Sequence, residues 1–72
     1  MITEIEFYLA EFRKGWYHTT VKFNTPGIKI YSGEYLMTDN IAMAKRYDKP
    51  PKIGTPVKVK TTYEIIERTS EM

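Results

Sequence analysis

The chain is 72 residues long, has no cysteine, four glycines and four prolines, and carries a formal charge of +2 from 11 Lys/Arg against 9 Asp/Glu. That length holds one small domain over 1–72 and leaves no room for a second. The missing cysteines exclude a disulfide staple and a thiolate metal site, and the single histidine excludes a multi-histidine zinc site.

The first predicted element is ambiguous. Ile5, Phe7 and Leu9 alternate as in a strand, whereas Ile2, Ile5, Leu9 and Phe12 follow helical spacing, with Thr3 and Glu6 placed as a capping box and Gly15 as a stop. The turn residues Arg13-Lys14-Gly15, followed at once by a good strand over Trp16–Phe23, favour a hairpin and hence the strand. Asn24-Thr25-Pro26-Gly27 is a turn. Ile28–Tyr31 and Glu34–Met37 read as a second hairpin about Ser32-Gly33. Thr38, Asp39 and Asn40 are helix-capping types ahead of Ile41–Tyr47, which predicts a helix of barely two turns, stopped by Pro50-Pro51. After an extended connector comes the clearest strand signal. Val57, Val59, Thr61, Tyr63 and Ile65 face one way, and Lys58, Lys60, Thr62 and Glu64 the other. Residues 69–72 are expected to fray.

These elements predict an α+β domain: a small antiparallel sheet of four to five strands with one short helix before the last strand. The alternative is a small five-stranded β-barrel plugged by the helix. Apolar residues at 42% and charged residues at 28% fit a soluble globular chain. No stretch approaches the roughly 20 apolar residues that span a bilayer. The acidic N-terminus lacks the order of a signal peptide, which points to a cytoplasmic protein with no membrane partner.

No catalytic constellation is visible. His18 lies in a predicted strand with no partner evident in the sequence. Ser32 and Ser70 lack a nucleophile elbow, and the glycines at 15, 27, 33 and 54 are too scattered to cradle phosphate. Glu4 and Glu6 share one side of a strand without a converging group. The expectation is a protein that is not an enzyme and needs no cofactor or metal.

Charge is unevenly placed. Residues 45–60 hold Lys45, Arg46, Lys49, Lys52, Lys58 and Lys60 against Asp48 alone, a local +5. Residues 1–12 hold Glu4, Glu6 and Glu11 with no base, and residues 61–72 hold Glu64, Glu67 and Glu71 against Arg68. A basic belt of this kind is a candidate phosphate surface, though lysines also guard the edges of sheets. It is poor in arginine, and Tyr47 is its one stacking aromatic. Ten aromatics, six of them tyrosine, make the other candidate surface. Arg13, Trp16, Tyr17 and Tyr35 are residue types that anchor interfaces, and Trp16 is equally placed to fill the core.

The run Tyr35-Leu36-Met37-Thr38-Asp39-Asn40, followed by Ala44-Lys45-Arg46-Tyr47, lies in a small cysteine-free chain rich in Tyr, Lys and Ile. It resembles short uncharacterised accessory proteins of phages of Gram-positive bacteria. The resemblance covers about 13 residues and carries over no functional residue. It implies a non-enzymatic accessory protein that binds, and modulates or inhibits, a host or defence protein. Together these readings give a small protein-binding module as the expected function. The alternatives are a nucleic-acid-binding domain using the 45–60 belt and a self-associating virion or assembly component. For the protein-binding module a homodimer is a further expectation, because exposed sheet edges and a thin core favour self-pairing.

Overall fold

The computed structural model describes residues 2–68. The expected fraying at 69–72 lies outside the described residues. Five strands form one antiparallel sheet: β1 (Ile2–Arg13), β2 (Trp16–Thr19), β3 (Ile28–Ser32), β4 (Tyr35–Thr38) and β5 (Thr55–Glu64). Their order across the sheet is β3-β4-β2-β1-β5.

The α+β expectation is wrong at its helix. Among the described residues there is no α-helix, only a single 3-10 turn at Ile41–Met43. The capping signal itself was sound: the Asn40 side chain accepts from the Ala42 N–H at 2.9 Å. Propagation fails at Ala44, whose ψ of 148° is extended. A helix of two turns cannot repay its nucleation. The chain makes sheet-like bonds instead, because β1 and β2 diverge beyond their short paired region and leave groups to satisfy. The Lys45 N–H donates to the His18 carbonyl at 2.9 Å. Tyr47 and Tyr8 exchange both main-chain bonds, at 2.8 and 2.9 Å. Residues 45–47 thus stitch the two strands together.

The barrel alternative is also corrected. The sheet stays open, with β3 and β5 as its two edges. The ambiguous first segment is a strand, the longest in the chain, and it pairs with β5 from Ile2↔Glu64 to Glu11↔Thr55 without interruption. β2 pairs with β1 only at Glu11↔Tyr17 and Arg13↔Trp16, across a bulge, and the turn between them runs through Gly15 at φ +81°. β2 ends at Thr19, four residues before its predicted end. There the Thr19 hydroxyl donates to the Met43 carbonyl at 2.6 Å and accepts from the Val21 N–H at 3.2 Å, which turns the chain out of the ladder.

The core is thin. Phe7, Leu9 and Ala44 form its centre, with Tyr17 and Val59 packed against them. The alternation predicted for β5 holds, but the face carrying Val57, Val59 and Thr61 is only half-buried, and Tyr63 is 50% exposed. The cause is shape. Beyond Phe7 the β1–β5 ribbon leaves the body of the domain, and the molecule with its ribbon measures 50 × 27 × 19 Å. The radius of gyration, 15.1 Å, exceeds the roughly 11 Å of a compact chain this long.

Candidate functional site

Register divides the side chains between the two sides of the sheet. Tyr17 pairs with Glu11 and Thr38, so it shares the side of Leu9 and Phe7 and belongs to the core. His18 pairs with Met37, and Met37 with Lys29, which places Trp16, His18, Tyr35 and Lys29 on the other side. The four residues Arg13, Trp16, Tyr17 and Tyr35 therefore do not form one patch. Arg13 is exposed opposite Trp16 across the bulge. Trp16 is half-buried and lies under the Lys29 ammonium, 4.9 Å from its ring centre. Tyr35 joins a different group of rings.

That group is a continuous row. Phe12 stacks on Tyr31 with ring centres 4.3 Å apart and planes 11° from parallel. These rings come from β1 and β3, which have β2 and β4 between them, so the twisted sheet curls toward this side. Phe12 also tilts against Tyr35 at 5.5 Å and His18 at 5.6 Å. His18 meets the edge of Tyr35 at 5.6 Å, and its Nδ1 is hydrogen-bonded to the Tyr47 hydroxyl at 2.6 Å. Lys45 lies over Tyr47 at 5.3 Å. Tyr31 is 40% exposed, and the other four members are half-buried.

The titration of this row follows from its packing. Burial, and then the Lys45 charge, hold the His18 imidazole below its ordinary 6.5, so it is neutral at neutral pH. Burial, and then Tyr35, push the Tyr47 phenol above 10.0. The neutral imidazole and the neutral phenol hold their two rings together through this hydrogen bond.

The basic belt is split between the two sides of the sheet, with Lys45 and Lys58, the latter 5.8 Å from the Tyr8 ring centre, on the side of the ring row. Lys45 and Arg46 point to opposite sides: Lys45 lies over Tyr47, and the Arg46 guanidinium lies 4.3 Å from the centre of the Phe7 ring. Lys58 pairs with Glu6 at 3.2 Å and Lys60 with Glu4 at 3.8 Å, on the wet face of the ribbon. The hydrogen bond and charge of Glu6 raise the Lys58 ammonium above its ordinary value. Lys49 and Lys52 are exposed in the connector. Among the described residues no three metal-ligating side chains converge, no pocket opens, and no helix is long and apolar enough to cross a membrane.

Sequence reasoning missed Phe12, Tyr31, His18 and Tyr47 as one group. Alternation places His18 beside Trp16, but no local pattern shows that strands β1 and β3 meet through their rings. Tyr47 was assigned to a helix that does not form. No family model, no curated protein and no solved structure matches the chain.

Proposed function

We propose that the chain is a non-enzymatic protein-binding module whose partner docks on the ring row of Tyr31, Phe12, Tyr35, His18 and Tyr47. The observation behind this reading is that five rings run unbroken across one side of an open sheet and stay partly exposed. Rigid aromatics with polar tips supply contact area at little entropic cost, and they dominate protein interfaces. Trp16 under Lys29 extends the same side. Modulation of a host or defence protein, the role implied by the phage resemblance, is part of this proposal and needs no pocket.

The pairing of Lys58 and Lys60 with glutamates makes nucleic acid the weaker partner. The ring faces also stack on one another rather than standing free for bases. The test is affinity capture from a host-type bacterial lysate, with and without nuclease. One protein that survives nuclease and is lost with Tyr31→Ser supports the reading. A mixed set that disperses with nuclease contradicts it.

A further inference from the structure

β5 is an edge of the sheet, with β1 on one side and no strand on the other among the described residues. Tyr8 exchanges both main-chain bonds with Tyr47, so its N–H and C=O point away from β5. Its register partner Lys58 must then point its own N–H and C=O away from β1, toward the open edge. With no register shift along the ladder, Pro56, Lys60, Thr62 and Glu64 do the same. Pro56 is consistent with this, since its missing N–H costs nothing there. Among the described residues, Lys58 to Glu64 therefore presents a row of unpaired donors and acceptors.

We propose that two copies of the chain join β5 to β5 in antiparallel register about Thr61, making one ten-stranded sheet. Charge and the length of the paired segment together select this register. It sets Lys58 against Glu64 of the second copy at both ends, Lys60 against Thr62, Val59 against Tyr63, and Thr61 against itself on the twofold axis. Glu64 has no ion pair among the described residues, and the second copy's Lys58, already 3.2 Å from its own Glu6, would be shared between the two carboxylates. Slipping the pair by two residues one way sets Lys60 against Lys60, and slipping it the other way shortens the paired segment. The outer edge of β1 at Ile2–Glu6 pairs with itself less well, because the register about Glu4 sets Glu4 on Glu4 and the register about Ile5 sets Glu4 on Glu6. The hydrogen-bonded positions 58, 60, 62 and 64 give about eight new main-chain bonds.

The ribbon also has a structural need for the second copy. Outside the body it is two strands only, with Ile5 40% and Tyr63 50% exposed on one face. Two strands alone are marginal in water, and a third and fourth strand stabilise them. The dimer uses a different surface from the ring row, so its failure would leave the ring-row reading standing, and the reverse.

The test is the solution mass of the full chain over about a hundredfold dilution, with cysteine cross-linking to fix the register. The wild type is expected to shift from dimer to monomer on dilution. Glu64→Lys, which sets lysine against Lys58, is expected to weaken the dimer about tenfold. Thr62→Pro removes an outward N–H without touching the β1 ladder, so it is expected to leave the far-ultraviolet spectrum intact and abolish the dimer. The chain has no cysteine of its own. Thr61→Cys is expected to cross-link to itself on mild oxidation, while Tyr63→Cys, about 14 Å from its copy in this register, is not. A monomer at every concentration, a dimer indifferent to both Glu64→Lys and Thr62→Pro, or cross-linking of Tyr63→Cys in preference to Thr61→Cys would overturn the proposal.

Discussion

The Tyr47 hydroxyl lies 2.6 Å from Nδ1 of His18, joining two residues 29 positions apart. The bond exists because residues 45–47 are extended. In the helix predicted from the sequence, Tyr47 would not be held by main-chain bonds to Tyr8 while Lys45 is held to His18. Removing the hydroxyl isolates this contact. Tyr47→Phe keeps the ring and is expected to cost about 0.5–1.5 kcal/mol, as for an ordinary intramolecular hydrogen bond. The urea midpoint should fall with an unchanged slope; an unchanged midpoint would mean the bond contributes nothing.

The same pair sets a pH dependence. The His18 pKa is lowered on folding, so the unfolded chain binds the proton more readily. Its contribution to stability is complete above about pH 6.5, the ordinary imidazole value, and is lost as the pH falls from there through the lowered folded value. Tyr47 has the opposite sign. Its raised pKa contributes stability below 10.0 that is lost as the pH rises through the folded value. Urea midpoints measured across the range should show the acid-side loss in the wild type and a smaller loss in His18→Phe.

Leu9 is fully buried at the centre of the small core. Leu9→Ala is expected to cost about 2–5 kcal/mol. A core of this size supplies only about that much. The variant should therefore lose its cooperative melting transition, whereas an exposed residue such as Ile66, at 88% exposure, should tolerate alanine with no change in melting temperature.

Gly54 enters β5 at φ +65°, and a Cβ there would lie 2.8 Å from the Glu11 carbonyl oxygen and 3.0 Å from Phe12. Both the conformation and the close backbone approach require glycine. Gly54→Ala should destabilise by more than about 1 kcal/mol. Because the clash pushes on Phe12, it should also perturb the stacked Tyr31, which near-ultraviolet circular dichroism reads.

Much of the fold was legible because strand alternation is a local signal. The period-two pattern from Val57 to Tyr63 and the turn at Arg13-Lys14-Gly15 both describe what forms. The helix at 41–47 was misread for a non-local reason: Asn40 caps one turn, but the unsatisfied groups of Tyr8 and His18 draw the next residues into extended structure. The ring row was illegible for a related reason. Phe12 and Tyr31 are brought together by the strand order and the curl of the sheet, and neither is written in the sequence around them. Tyr17 and Trp16, adjacent in sequence, were grouped as one patch although a strand places neighbours on opposite sides.

The most direct test of the ring row is quantitative capture from nuclease-treated bacterial lysate with three baits: wild type, Tyr31→Ser, and the double variant Lys49→Glu with Lys52→Glu. Both variants change only exposed residues, so the fold should persist in each. The account predicts a protein held equally by the wild type and the lysine variant and lost with Tyr31→Ser. Retention by Tyr31→Ser together with loss in the lysine variant would contradict it and move the binding surface to the connector.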